Sequence, residues 1–191
     1  MSEVTKAKRG HPSPMMFVSI GIGAVLAIAL ISVVSALTGG KVTSGSTQIP
    51  SALQGKTIAH FSESGLYGGT EKAPWEDHHP SVLVFFASWC TVCQPEIPKV
   101  ATYVSTHNLG GVVVLGIDAN DTRSAAQAFV KKDRVKFPVA FDPNTTVTAG
   151  LFDFGTLPET VFLNAKGVVQ SVHFGRIPIA QFAAGIQHLR A

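Results

Sequence analysis

The chain has 191 residues, of which 46% are hydrophobic and only 14% charged, with two cysteines and a formal net charge of +3. This length suits one ordinary domain with an accessory segment, and two cysteines are too few for a disulfide-dense secreted scaffold or a four-cysteine zinc site. The whole charge excess lies in residues 1–41, while residues 42–191 carry 11 basic and 11 acidic side chains. Because a neutral domain offers little net field to attract a polyanion, nucleic acid is excluded as the main partner.

An apolar segment near the N-terminus predicts a membrane anchor. Residues 15–37 contain no ionisable side chain, and a helix of this length reaches about 34 Å, enough for a hydrocarbon core about 30 Å thick. Val34-Ser35-Ala36 would also suit signal-peptide cleavage, which is the alternative, although the apolar run is longer than that of a usual signal sequence. We therefore expect one uncleaved N-terminal transmembrane helix.

The charges around this segment predict its orientation. Three cations precede it and only Lys41 follows closely; the three are Lys6, Lys8 and Arg9. Basic residues next to a span favour the cytoplasmic side. Residues 1–14 are therefore predicted to be cytoplasmic, and the chain beyond the span is predicted to lie outside the cytoplasmic membrane of a bacterium, as a single-pass protein.

The rest of the chain predicts a linker and one α/β domain. Residues 38–50 lack periodicity and are rich in Gly, Ser and Thr, as in a flexible linker, so the domain is expected at 51–191. Ser81–Ala87 and Val112–Ile117 are apolar runs of the length of buried strands, and residues 90–106 between them supply the crossover helix of a parallel βαβ unit. Four elements follow: a helix capped by Asp121 or Thr122, a strand at Phe137–Phe141, a hairpin of Thr160–Leu163 and Val168–Phe174, and a last helix opened by Pro178.

The chemistry is concentrated at Cys90-Thr91-Val92-Cys93, directly after the first apolar strand. We expect Cys90 to open the crossover helix, where unpaired N–H groups and the helix dipole favour the thiolate. This predicts Cys90 as the nucleophile and Cys93, one turn further, as the resolving thiol. Half of a zinc site is one alternative, with His78-His79 upstream, and a structural disulfide is another, although it closes too short a loop to restrain the unfolded chain much.

Two blocks of sequence resemble a known family. FASWCTVCQPEIP, at 86–98, is similar to the active-site segment of membrane-anchored, extracytoplasmic thioredoxin-like proteins of the TlpA/ResA/CcmG (DsbE) type. A second block, from FPVAFDP at 137–143 through GTLPETVFL at 155–163, is similar to that family's region ending in a cis-proline. The resemblance covers about residues 51–191. It implies a thioredoxin fold, in which helices flank a central mixed β-sheet, preceded by one transmembrane helix.

The resemblance also implies which residues contact a substrate. Pro158 corresponds to the cis-proline, and its loop, with Thr156 and Leu157, would present backbone groups to an incoming substrate beside the dithiol. The ordinary alternative is a trans proline, since few X–Pro bonds are cis. Trp89 would flank the nucleophile and contact the substrate, the alternative being a plain core tryptophan.

A carboxylate close to the dithiol is implied in the same way. Glu96 matches the acidic residue near the dithiol in ResA-like members and would move a proton to or from Cys93, unless it merely complements the helix dipole. Cytoplasmic thioredoxins carry a buried aspartate in the strand six residues before the first cysteine. Val84 occupies that position here, so we expect Glu96 to be the only nearby carboxylate for the task.

These features predict a membrane-tethered, extracytoplasmic thiol:disulfide oxidoreductase that reduces protein disulfides and needs no cofactor beyond the redox-active Cys90–Cys93 pair. Because the outer compartment supplies no reductant, a transmembrane electron-transfer protein would have to deliver the electrons. The resemblance implies apocytochrome c as the substrate, with its haem-binding cysteines kept reduced. Two alternatives stay open: an oxidase of the same fold that donates its disulfide to folding proteins, and a dithiol metal-binding or chaperone module without redox turnover.

Overall fold

The computed structural model describes residues 51–152 and 155–191. The predicted anchor at 15–37, the predicted cytoplasmic segment 1–14 and the predicted linker 38–50 lie outside the described residues. Among the helices of the described part, none is both long enough and apolar enough to cross a membrane.

The domain is built on a five-stranded sheet and a separate two-stranded sheet. In the larger sheet the strand order is β5-β4-β3-β6-β7, with parallel pairing from β3 through β4 to β5 and antiparallel pairing from β3 through β6 to β7. The elements in chain order are β1 (Ser62–Ser64), β2 (Thr70–Lys72), a 3-10 turn (Pro74–Asp77), β3 (Ser81–Phe86), α1 (Ile97–Thr106), β4 (Val113–Ala119), α2 (Arg123–Lys132), β5 (Val139–Asp142), α3 (Thr148–Phe152), β6 (Glu159–Leu163), β7 (Val169–Phe174) and α4 (Ile179–Arg190).

Both faces of the larger sheet are covered, which explains the apolar run in its central strand. All six residues of β3 are buried. Val84 and Phe86 pack in one cluster with residues of α1, α2 and α4, whereas Leu83 and Phe85 pack on the other face with α3 and the segment before β3. Successive side chains of a strand point to opposite faces, so a strand covered on both sides needs apolar residues throughout. The predicted α/β architecture with a mixed central sheet is confirmed.

The predicted hairpin and the predicted helix after β4 are confirmed within two residues. Thr122 is the N-cap of α2, and its side chain accepts a hydrogen bond from the Ala125 N–H at 3.4 Å. The turn between β6 and β7 closes with a Gly167 N–H to Asn164 carbonyl bond of 2.9 Å. Gly167 has φ +72°, a conformation that glycine adopts without steric cost.

The β1–β2 sheet and α3 were not predicted, because their three and five residues are too short to show a periodic pattern. The loop between β1 and β2 is attached by hydrogen bonds to α2 and to β5, the outermost strand of the larger sheet. Arg123 donates to the carbonyl oxygens of Gly65 and Leu66 at 2.8 Å each, and its guanidinium lies 4.3 Å from the centre of the Phe141 ring. The Leu66 N–H donates to the Val139 carbonyl of β5 at 2.8 Å.

Five chain segments meet at one edge of the larger sheet. The parallel strands β3, β4 and β5 all end there, while the antiparallel β6 begins there and β7 ends there. The segments that follow β3, β4, β5 and β7 and the one that precedes β6 therefore lie side by side. The two cysteines are in the first of these segments.

Candidate active site

The two cysteines form a disulfide directly beyond the end of β3. Their Cα atoms are 5.3 Å apart, and the Cys93 N–H donates to the Cys90 Sγ at 3.1 Å. The exposed fraction of Cys90 is 5% and that of Cys93 is 0%. Cys90 is therefore the member of the pair that retains solvent access.

The prediction that Cys90 opens the crossover helix is wrong, since α1 begins only at Ile97. Residues 91–96 form a series of turns, in which the Cys93 carbonyl accepts from the N–H groups of both Glu96 and Ile97 at 3.0 Å. Pro95 and Pro98 have no N–H, so two steps of a helical hydrogen-bond ladder through this segment cannot form. At Cys90 the local donor is the Cys93 N–H rather than the first turn of α1.

Glu96 is a buried carboxyl one turn beyond Cys93. Its exposed fraction is 3%, its Oε2 accepts a hydrogen bond from the Ile177 N–H at 3.1 Å, and no described residue bonds to its Oε1. Burial raises the pKa of Glu96 to about 7, against the opposing effects of the Ile177 N–H and the nearby Arg176 charge. The side chain makes no capping bond to α1. A carboxyl with a pKa near neutrality can both accept and release a proton at physiological pH.

The residues just before Cys90 are fastened to the loop between β4 and α2. The Trp89 Nε1–H donates to the Asn120 carbonyl at 2.8 Å, and the Ser88 N–H donates to Oδ2 of Asp121 at 2.6 Å. Trp89 is 56% exposed, so it is not a core tryptophan. Its indole ring lies at the surface beside Cys90, held by a single hydrogen bond.

The loop before β6 lies at the same edge of the sheet. The Leu157–Pro158 peptide bond is cis, as the resemblance implies. Pro158 is buried, Leu157 is half-buried and Thr156 is exposed. Because Glu159 pairs with Phe85 near the end of β3, Pro158 lies level with the start of the cysteine segment. The Pro158 carbonyl accepts from the Gly175 N–H at 2.8 Å, which joins this loop to the end of β7.

Two exposed apolar side chains near these segments were not singled out in the sequence. Val92 lies between the cysteines, and Phe174 ends β7 in register with Glu159, next to Pro158. With Trp89 they add exposed apolar surface at the same edge of the sheet as the disulfide. Isolated exposed hydrophobic residues give no sequence signal, and only the pairing of β6 with β7 brings Phe174 to this edge.

Glu96 is not the only buried carboxyl at this edge of the sheet, since Asp118, Asp142 and Glu159 are buried there as well. Asp118, near the end of β4, is 0% exposed and pairs in register with Phe86, the last residue of β3. Burial, together with the nearby Asp121 carboxylate, raises the pKa of Asp118 to about 8. The available signal was a carboxylate inside the otherwise apolar run VVVLGIDA. A charged residue in a buried strand is rare unless it has a partner.

Comparisons with known proteins agree with this geometry. Residues 55–172 match the AhpC/TSA family. Thiol-disulfide oxidoreductase ResA of Bacillus cereus is 33% identical over 87 residues, which are 46% of this chain and 50% of that protein. ResA of Bacillus subtilis (strain 168) is 30% identical over 93 residues, 49% of this chain and 51% of the relative. The chain thus spans about half the length of the curated relatives it matches.

Solved structures give longer matches. MTB dsbF, solved in mixed oxidized and reduced forms, superimposes with a TM-score of 0.61 at 31% identity, covering 68% of this chain and 94% of that one. A putative thiol:disulfide interchange protein DsbE from Chlorobium tepidum superimposes with a TM-score of 0.63 at 23% identity, covering 72% and 98%. The domain therefore has the thioredoxin fold. The chain belongs to the AhpC/TSA family, as a thioredoxin-like member of the TlpA/ResA/CcmG (DsbE) type.

Proposed function

We propose that this protein is a thiol:disulfide oxidoreductase whose redox group is the Cys90–Cys93 pair. The observation that supports this best is the unequal burial of the two sulfurs at the edge of the sheet, since only Cys90 has solvent access. A disulfide that serves stability alone needs no exposed member. A dithiol that exchanges with a substrate needs one accessible and one protected sulfur.

In the reducing direction the Cys90 thiolate attacks one sulfur of a substrate disulfide. A Cys90–substrate disulfide forms and the first substrate thiolate leaves. Cys93 then loses its proton and attacks the Cys90 sulfur, so the second substrate thiolate leaves and the Cys90–Cys93 disulfide forms. Two electrons pass to the substrate, and its two thiolates take up two protons.

We assign Glu96 to the second half of this reaction. Cys93 is completely buried, so its proton needs an acceptor inside the protein, and Glu96 is the buried carboxyl that follows it by three residues. Because the pKa of Glu96 is about 7, both its ionised and its protonated forms are populated at neutral pH. The Cys93 N–H, 3.1 Å from the Cys90 Sγ, supports negative charge on that sulfur.

Trp89, Thr156, Leu157 and Pro158 are proposed to contact the substrate polypeptide. Trp89 offers an exposed aromatic face and Thr156 an exposed residue at the start of the loop, while exposed Val92 and Phe174 extend the apolar surface. A polypeptide substrate with apolar residues beside its cysteines suits this surface.

The direct test is the reduction of insulin by the protein with a dithiol reductant, compared with Cys90→Ser. Turnover by the native protein and none by Cys90→Ser supports the proposal. Stoichiometric copper or zinc on the native protein, lost in Cys90→Ser and without any turnover, would instead establish the dithiol metal-binding alternative.

Reduction rather than oxidation is the proposed direction, with apocytochrome c as the substrate and a transmembrane electron-transfer protein as the source of electrons. Supporting this are the ResA and DsbE relatives and the carboxyl close to Cys93. The test is the reduction potential of the Cys90–Cys93 couple, measured in glutathione buffers. A value above about −150 mV, towards the range of strong disulfide donors, would establish the oxidase alternative.

We further propose that residues 15–37 anchor the domain to the outer face of the cytoplasmic membrane, with residues 1–14 inside and 38–50 as the linker. The support is the apolar run itself and the cations before it. Fractionation of the full chain tests this: it should stay with membranes through alkaline extraction, and external protease should digest the domain in spheroplasts. A soluble product shortened by about 36 residues would show signal-peptide cleavage instead.

A further inference from the structure

Two carboxyl groups, those of Asp118 and Asp121, lie next to the segment that leads to Cys90. Asp118 is completely buried, and no N–H or O–H of the described residues donates to either of its oxygens. Asp121 is three residues further along the chain. Its Oδ2 accepts from the Ser88 N–H at 2.6 Å, and its Oδ1 accepts from the Thr122 N–H at 2.7 Å.

The environment of Asp118 favours its neutral form. A buried carboxylate without donors is unfavourable, so burial is the largest of the effects that together raise the pKa of Asp118 to about 8. The Asp121 carboxylate adds like charge and accepts the Asp118 proton in a side-chain hydrogen bond, and Asp142 adds a smaller like-charge effect. At neutral pH Asp118 is therefore an acid that donates to Asp121.

Other charged groups lie on the elements packed around this pair. Asp142, at the end of β5, accepts hydrogen bonds from the backbone N–H and the hydroxyl of Thr148. Burial and the Asp142 charge raise the pKa of Glu63 of β1. On α2, the Arg123 guanidinium is occupied by the carbonyls of Gly65 and Leu66. On the cysteine segment the titratable groups are the Cys90 and Cys93 thiols of the reduced protein and the Glu96 carboxyl.

We propose that Asp118 is a positioning residue for thiol–disulfide exchange. In its protonated form it holds the Asp121 carboxylate in place, and Asp121 in turn holds the Ser88 N–H and the backbone that leads to Cys90. Loss of the Asp118 proton puts two like charges side by side and loosens this support. The burial of Asp118, the lack of donors to its oxygens among the described residues and the hydrogen bonds of Asp121 support the contact, whereas its effect on catalysis rests on the proposed oxidoreductase function.

The contact is tested in the oxidised full chain, in which neither cysteine titrates. The ¹H–¹⁵N cross-peak of the Ser88 amide should show an inflection near pH 8. Asp118→Asn should abolish the inflection and keep the peak near its low-pH position, because the amide still donates to Asp121. Glu96→Gln and Asp133→Asn, which change other carboxyls with raised pKa values, should leave the inflection in place.

Two results would overturn the contact: no Ser88 inflection between about pH 6.5 and 9.5, or an inflection that persists in Asp118→Asn. Asp121→Asn provides a second variant, which keeps an acceptor for Ser88 but removes the like charge. It should move the Asp118 inflection to lower pH, and an unmoved inflection would also contradict the proposal.

The catalytic effect has a separate measurement. As pH rises from about 7 to 9, kcat/KM for a protein disulfide should fall about two- to fivefold in the native protein relative to Asp118→Asn, because a loosened segment less often presents Cys90 in the reacting geometry. Parallel profiles for the two proteins would overturn the positioning role. Absence of turnover in both, with the Ser88 inflection intact, would count against the proposed function and not against the Asp118–Asp121 contact.

Discussion

The Ile177 N–H donates to Oε2 of Glu96 at 3.1 Å, so the loop between β7 and α4 closes over the carboxyl that follows Cys93. The two residues are 81 positions apart in the chain. A single backbone donor is weak compensation for a carboxylate that is 3% exposed, and burial dominates its titration. The effects of this buried carboxyl on the reactivity of the thiols and on the stability of the protein can be measured separately.

Glu96→Gln should make the thiols more reactive. At about pH 8 Glu96 is ionised, and its negative charge disfavours a second charge on a nearby sulfur. Removing that charge should raise the rate of alkylation of the reduced protein by about two- to tenfold. Stopped-flow alkylation checks this, with Glu76→Gln as the control variant. Equal rates for the native protein and Glu96→Gln would contradict a proton-relay position for Glu96.

The same carboxyl should make stability depend on pH. Its ordinary pKa is 4.5 and its pKa in the folded protein is about 7, so between these values the folded chain retains a proton that the unfolded chain has lost. The contribution of Glu96 to the free energy of unfolding should therefore fall as pH rises from about 4.5 to 7, by on the order of 1–3 kcal/mol, and then level off. Urea unfolding of the oxidised protein at several pH values measures the fall.

Glu96→Gln is the matched variant for this measurement, because its side-chain oxygen can still accept from Ile177 while the titration is removed. The difference in stability between the native protein and Glu96→Gln should change across about pH 4.5–7. A constant difference would mean that Glu96 does not titrate in this range. Glu76→Gln should follow the native protein throughout.

Cys93→Ala should trap substrates and Cys90→Ser should not. Cys90, which retains 5% of its surface accessible, can still attack, but the resolving thiol is gone, so the mixed disulfide persists. Buried Cys93 alone has no route to a protein disulfide. Non-reducing electrophoresis after incubation with a disulfide-bonded protein reveals the adduct. Comparable adducts on Cys90→Ser would show that the two sulfurs do not differ in access.

Trp89 should matter for protein substrates more than for small ones. Trp89→Ala removes an exposed aromatic face and should lower kcat/KM for a protein disulfide about tenfold, while Trp89→Phe keeps the face and loses only the bond to Asn120, with a loss of about two- to threefold. Reduction of a small-molecule disulfide should change by less than about twofold. Equal losses with both substrates would assign Trp89 to the support of Cys90 instead.

Local sequence patterns predicted the main elements but not where α1 begins. The apolar runs of β3 and β4 are strong signals, because strands buried on both faces need apolar residues throughout. The spacing of apolar residues in α4 is a strong signal because the helix buries one face. The predicted start of α1 at Cys90 is too early, because the structure begins this helix at Ile97. Pro95 and Pro98 are each compatible with the first turn of a helix, yet the loss of two N–H donors leaves residues 91–96 as turns.

Some residues of the site belong to short sequence motifs, whereas others reach it only through the pairing of strands that are distant in the chain. Cys90, Cys93 and Glu96 belong to one short motif, and Pro158 to a second. The part played by Asp118 depends on the pairing of β4 with β3, and that of Phe174 on the pairing of β7 with β6. No pattern within either strand reveals such cross-strand neighbours, so only the three-dimensional structure identifies them.

The short loop 175–177 after β7 gives two separate parts of the site a common support. The Gly175 N–H bonds to the Pro158 carbonyl, and the Ile177 N–H bonds to Glu96. Any local opening that detaches this loop would release the Pro158 loop and expose the Glu96 carboxyl to water in one event. Amide hydrogen exchange at positions 175 and 177 should therefore occur at a common rate, and loop 175–177 would couple the proposed substrate loop to the proposed proton acceptor.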